Sequence, residues 1–291
     1  MCKYATTIDE QIDILQSRGM IIEDIAKAKE ILLDIGYFRL GFYWFPFEKT
    51  YPKRGKRRMH DFVVNTKFED IKTLYYFDQD LRLLLSKYIF RIEIDFRTFL
   101  IYTASNKYKT MPTWFAESKC VSKKYIEDLP KYYEDIKKNN AIIQHHHRKH
   151  TNDIHAPAWK TIECMTFGNV LTLYSNLNDS GLKQDIALHY GIKNVKIFEN
   201  YMDTVRVIRN QCAHGRNLYD FKLRNAILKG PVKNIKDEKI HNICGALYVI
   251  LFILGKISAN RENELRNSVK ELIQGVPNIS TQINHLCEME L

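Results

Sequence analysis

Apolar residues recur at steps of three and four along most of this 291-residue chain, and no stretch alternates convincingly with period two. The pattern predicts an all-α protein. Thr7-Ile8-Asp9-Glu10 has the form of a capping box and opens a first helix. A second follows Gly19, with Ile22, Ile25, Ala28, Leu32 and Ile35 in step and Gly36 placed to end it. From Phe68 to about Tyr102, Ile71, Leu74, Leu81, Leu85, Tyr88, Ile92, Phe96 and Phe99 mark one face of a long helix that no proline interrupts. Ser122 is placed to cap a charged helix reaching about Lys138. Residues 139–156 break the periodicity, so an irregular polar loop insertion is expected there. Beyond it, Pro157 starts a helix through Trp159, Glu163, Phe167 and Leu171, another helix follows Asn194, and a third runs from about Lys236 to Ile257. The expected organisation is an N-terminal helical extension with a basic loop (1–65), a helical bundle carrying the insertion (66–262) and a C-terminal helical tail (263–291).

The most apolar run, Ile243 to Ile257, is short for a bilayer span and contains Gly245 and Gly255, so it reads as a buried core helix. Met1 to Glu10 contain no apolar signal core. A cytoplasmic protein with no membrane partner is therefore expected. The six cysteines, at positions 2, 120, 164, 212, 244 and 287, form no C-x-x-C pair. Their spread fits buried small hydrophobes, with neither a disulfide framework nor a zinc site.

Charge changes the picture. With 44 Lys and Arg against 34 Asp and Glu, the chain carries a formal +10. Such a surplus favours a polyanion, because neutralising phosphates releases condensed counterions. Lys53, Arg54, Lys56, Arg57 and Arg58 crowd around Gly55 in a predicted loop and are candidate RNA-backbone contacts. Just before them, Tyr37 to Phe47 hold seven aromatic residues in eleven positions. That run reads either as an aromatic plug between helices or as a platform for stacked bases with Arg39 on a phosphate. Arg148 and Lys149 sit among His145, His146, His147 and His150. A flexible loop does not hold metal ligands at fixed spacing, so an RNA-facing loop or a plain surface loop fits better than a metal site.

One stretch carries chemistry. After Asn194, Ile197, Tyr201, Val205, Ile208 and Cys212 step by four, four, three and four, which is one buried helix face. The helix then reads Arg209-Asn210-Gln211-Cys212-Ala213-His214-Gly215-Arg216, with Gly215 at its end. Five residues advance about 7.5 Å and turn about 140° net, so Arg209 and His214 of one isolated helix do not pinch a single atom. They suit a site shared by two copies, or RNA threading past the helix end. Histidine exchanges a proton near neutral pH without a metal. Arginine offers a planar fork to a phosphate whose charge grows in the transition state. Asn210 can position either group, and Arg216 adds a cation beyond the helix. The plain alternative is that Arg209 and His214 only cap helix carbonyls.

Arg209-Asn-x-x-Ala-His214 resembles the active motif of HEPN ribonucleases. The wider pattern resembles the Abi family of abortive-infection proteins, in its AbiD/AbiF branch. It comprises Ile35-Gly36-Tyr37-Phe38-Arg39-Leu40 with Trp44-Phe45-Pro46-Phe47, then Phe68, Ile71, Leu74-Tyr75, Phe77-Asp78 and Leu81-Arg82. Ile92-Glu93-Ile94 with Arg97, and Trp159 to Gly168, complete it. The resemblance covers roughly residues 7–220. It implies a HEPN-like bundle and phage defence through metal-independent RNA cleavage without a cofactor. The expected products are a 2′,3′-cyclic phosphate and a 5′-hydroxyl, formed in a homodimer whose two motifs make one site. It also implies a structured non-coding RNA as partner, with AbiF-like members related to the HEPN halves of type VI CRISPR effectors. Arg209 and His214 carry over as catalytic, Asn210 as supporting them, and Glu93 and Arg97 as orienting groups. Many members have a second His or a Ser after the Ala-His, where this chain has Gly215. Two other readings stay open: an RNA-binding module without catalysis, and a helical dimerisation protein whose charge is incidental.

Overall fold

The computed structural model describes residues 4–52 and 58–291. Among them are thirteen α-helices and no strand, so the fold is all-α. The chain forms two compact units. One comprises Met1–Leu84, His214–Phe221 and Asn267–Leu291; the other comprises Leu85–Ala213 and Lys222–Arg266.

The first unit begins with α1 (Ile8–Ser17), where Thr7 and Glu10 form the expected capping box. Helix α2 (Ile25–Ile35) starts at the Asp24 cap rather than at Gly19, because the Asp24 side chain takes the N–H of Lys27. Gly36 ends it with φ of 89°, a conformation that favours glycine. The aromatic run forms α3 (Tyr37–Trp44) and a short 3-10 helix, Phe45–Phe47. Leu40, Tyr43, Trp44 and Phe47 are buried, whereas Phe38 and Phe42 face solvent. The plug expectation thus fits one face of α3 and not the other. Helix α4 (Phe68–Lys107) is longer than its periodicity suggested, and its residues to Leu84 complete this unit's core through Ile71, Leu74, Phe77 and Leu81.

In the second unit, Phe96 of α4 meets Phe167, Tyr174, Tyr190 and Phe198 at ring separations of 5.7–6.4 Å. The same unit contains α5 (Lys123–Asn139), α6 (Ala141–Lys149), α7 (Ala158–Thr161), α8 (Phe167–Ser175), α9 (Ser180–His189), α10 (Val195–Ala213) and α11 (Ile243–Ile257). Ser122 caps α5 as expected. Helix α12 (Ala259–Gln274) and, in the first unit, α13 (Asn284–Cys287) follow.

Three expectations need correction. Residues 139–156 are not an irregular loop. The Asn140 side chain accepts from the N–H groups of Ile142 and Ile143, which starts α6, and Ile143 and His146 are buried on its inner face. The helix expected from Pro157 to Leu171 breaks at Met165, whose backbone is extended, because the Thr166 hydroxyl caps α8. Helix α11 begins at Ile243, not Lys236, since Asn242 caps it through Cys244 and Gly245. Helix α9, opened by the Asp179 cap, was not foreseen at all. As expected, α11 is a core helix, buried along most of its length.

Candidate functional site

Asn194 starts α10 by accepting from the N–H groups of Lys196 and Ile197. Tyr201, Val205, Ile208 and Cys212 are buried, and this anchored face fixes the rotation of the helix, while Ile197 is half-buried. Arg209 and Asn210 lie on its partly exposed side. The Arg209 Nη1 donates to Asn210 Oδ1 at 3.4 Å. Its Nε lies 3.6 Å from Glu93 Oε2, an ionic contact too long for a hydrogen bond.

Glu93 and Arg97 come one helical turn apart on α4, and both are buried. Arg97 Nη2 donates to Glu93 Oε1 at 3.0 Å and to the Met165 carbonyl at 3.1 Å. The helix break at Met165 aims that carbonyl away from a helical ladder. Glu163 stands 3.8 Å from the other Arg97 nitrogen. One buried carboxylate therefore holds two guanidinium groups, and Glu93 is the hinge of the cluster. Glu93 Oε2 and Arg209 Nε are thus buried facing each other without a full hydrogen bond, and the buried Arg97 Nε makes none either, an uncommon state for buried polar atoms. The structure thus brings Glu93, Arg97, Arg209 and Asn210 together within the second unit.

His214 follows the last residue of α10 and is exposed, as is Arg216. In the first unit, Gly215 has φ of 59°, where a side chain is strained, and its carbonyl accepts from Arg39 Nη1 at 2.8 Å. Arg39, a candidate phosphate contact, thus has one donor engaged beside the motif. The Arg216 carbonyl accepts from Arg82 Nη1 at 3.3 Å.

Behind this turn lies a clasp that sequence reasoning missed. Asp78 is fully buried. Its Oδ1 accepts from the N–H groups of Leu218 and Tyr219 at 2.9 and 2.7 Å, and its Oδ2 accepts from the Tyr43 hydroxyl at 2.8 Å and from Arg82. Tyr219 in turn donates its hydroxyl to the Phe42 carbonyl, and the His285 ring donates to the Tyr219 carbonyl. Burial pushes the Asp78 carboxyl up, against the pull of Arg82, the Tyr43 hydroxyl and both backbone N–H groups. Burial also pushes the phenols of Tyr43 and Tyr219 up and the His285 imidazole down. A signal was present: Asp78 and Arg82 are an i, i+4 charge pair next to the apolar stripe of a long helix, where charges persist only when paired.

The remaining candidates are scattered. Lys53, Arg54, Lys56 and Arg57, like Cys2, lie outside the described residues. Arg58 is bound through Nε and Nη2 to the buried Glu48, both at 2.5 Å, and its guanidinium lies over Phe45. Its fork is therefore already occupied. Arg148 and Lys149 are exposed in the last turn of α6, where cations also complement the helix dipole. In the same helix, His146 is buried against Asp153 and His147 meets the Tyr133 hydroxyl. Among the described residues, no group of three or more His, Cys, Asp or Glu is placed to hold a metal. Cys120, Cys212 and Cys244 are buried as expected, but Cys287 is exposed. No helix of the described residues is long and apolar enough to cross a membrane.

No curated protein and no solved structure matches this chain. The family described as Abi-like protein matches residues 30–220, about two thirds of the chain. The match takes in α3, α4 with Asp78, Glu93 and Arg97, and the whole stretch from Arg209 to Arg216. The chain therefore belongs to the Abi-like protein family, whose role at the family level is abortive-infection defence against phage.

Proposed function

We propose that this protein defends by cutting RNA, as a metal-independent endoribonuclease of the HEPN type under the control of a structured non-coding RNA. The observation that carries the reading is the Arg209 cluster: a partly exposed guanidinium held beside Asn210 by a buried carboxylate. In this reaction a ribose 2′-oxygen attacks the adjacent phosphorus and the bond from phosphorus to the 5′-oxygen breaks. The 2′-hydroxyl gives up its proton and the departing 5′-oxygen receives one. The products are a 2′,3′-cyclic phosphate and a 5′-hydroxyl. Arg209 is proposed to stabilise the charge growing on the phosphate oxygens, and His214 to transfer the proton. Glu93 is a positioning residue for Arg209. Two copies in a homodimer supply two histidines, so that one takes a proton while the other gives one.

A second reading, RNA binding without catalysis, is favoured by two observations. Glu93 already offsets part of the Arg209 charge, and Gly215 supplies no side chain beside His214. The test is to isolate the protein from its host, as wild type and as His214→Ala, and to sequence the RNA that accompanies it together with cellular RNA ends. A discrete RNA in both, with new 2′,3′-cyclic-phosphate ends only in wild-type cells and cleavage that withstands EDTA, is expected. The same RNA with no difference in ends under phage challenge would favour the second reading. Cleavage abolished by EDTA would refute the proposed chemistry.

A further inference from the structure

The first unit contains a cavity of about 280 Å³ lined by Arg18, Tyr37, Phe38, Phe42, Trp44 and Arg58. Its aromatic walls all come from α3. Tyr37 packs edge-on against the buried Trp44 at 4.7 Å, and Phe38 against Phe42 at 5.5 Å. Core packing explains Tyr43 and Trp44, which turn inward. It does not explain Phe38 and Phe42, which are 83% and 48% exposed. Single surface phenylalanines are ordinary, but a pair flanking a concave site with cations at its rim is a binding feature.

The cations decide the ligand. Arg58 is fixed by its fork to Glu48 and lies over the Phe45 ring, so it gives the cavity a rigid wall, and the open charge at the rim is left to Arg18. Arg18 donates to the Tyr37 hydroxyl at 3.2 Å and sets a positive charge at the rim. Aromatic faces beside guanidinium groups suit a flat ring attached to an anion, which is how unpaired bases of RNA are held. We propose that this cavity takes one unpaired RNA base, stacked on one of the two perpendicular rings of Phe38 and Phe42 and meeting the other at its edge, with its phosphate toward Arg18. The inference rests on the RNA reading above and adds to it a base-binding site on the helix whose Arg39 holds the Gly215 carbonyl.

The test uses the full chain carrying His214→Ala in every arm, to prevent cleavage, and a random single-stranded 20-mer RNA containing 5-iodouridine. Photo-crosslinks mapped by mass spectrometry are expected on the peptide spanning Tyr37 to Trp44. Phe38→Ala with Phe42→Ala is expected to lose them and to bind about 5- to 100-fold more weakly. The dependence of affinity on salt should not change, because stacking releases no counterions. Phe38→Tyr with Phe42→Tyr should keep both crosslink and affinity. Crosslinks elsewhere, with affinity unchanged by the alanine pair, would overturn the base site and leave the RNA reading standing. A parent chain that binds no RNA would overturn both. Loss of dimer with RNA affinity intact would instead assign this face to a second copy and overturn the base site.

Discussion

Replacing Asp78 is the sharpest test of how the turn after the motif is held. Its carboxylate meets only donors: two backbone N–H groups, the Tyr43 hydroxyl and the Arg82 guanidinium, whose side chain is 8% exposed. Removing one partner of a buried ion pair costs about 3–5 kcal/mol, because the other charge is left uncompensated. Each buried N–H left without an acceptor costs about 1–3 kcal/mol, partly overlapping the first figure. Against a typical stability of about 5–15 kcal/mol, Asp78→Ala is expected to unfold the first unit or nearly so. Asp78→Asn keeps the shape and one acceptor oxygen for Leu218 and Tyr219 but loses the charge facing Arg82. We expect it to cost about 2–4 kcal/mol. Urea unfolding at neutral pH, followed by circular dichroism, should show the midpoint falling by roughly 1–2 M for a slope near 2 kcal/mol per molar. Amide exchange at Leu218 and Tyr219 should rise by a factor of ten or more, on the order of 1.4 kcal/mol of local opening. An Asp78→Asn protein with an unchanged midpoint and unchanged exchange at these two amides would refute the clasp.

Other outcomes follow from the same structure. Glu93→Gln is expected to slow RNA cleavage at saturating RNA more than it weakens RNA binding, since it releases Arg209 without removing it; equal losses in binding and turnover would point to a structural role only. A methyl group at Gly245 would lie 1.9 Å from the Lys239 carbonyl oxygen, so Gly245→Ala must displace that loop. A loss of about 1–3 kcal/mol and a melting point several degrees lower are expected in a thermal scan. The Lys107 ammonium and the Leu182 N–H hold the Asp179 carboxyl below its usual range. Its contribution is therefore fully present above about pH 4 and fades as pH falls through the depressed value, so acid titration of Asp179→Asn should show a shallower loss of stability than wild type.

Most helices were legible because their causes are local. The Thr7–Glu10 box, Gly36, Ser122 and the steps from Tyr201 to Cys212 each act within a turn or two of chain, and the structure contains all four features. Errors fell where a short polar side chain decided a boundary. Asn140, Thr166 and Asn242 each accept backbone N–H groups and start helices that apolar periodicity alone did not place. The histidine run looked like a loop because its polar residues hid the step from Ile143 to His146, a step that becomes meaningful only once a neighbouring surface buries it.

The site divides in the same way. Arg209, Asn210 and His214 stood out because their spacing and chemistry are visible in a single stretch of chain. That Glu93 and Arg97 stand with Arg209 was expected from family resemblance alone, and the contact depends on packing between α4 and α10, across more than a hundred residues. Asp78 as the acceptor for Leu218 and Tyr219, Arg39 on the Gly215 carbonyl and Arg58 committed to Glu48 have no signature in local sequence. The sequence by itself determined most of the longer helices and the chemical repertoire, since both depend mainly on neighbours along the chain. Tertiary structure alone decided which charges are paired and which remain open, since a charge's partner depends on what folding brings beside it.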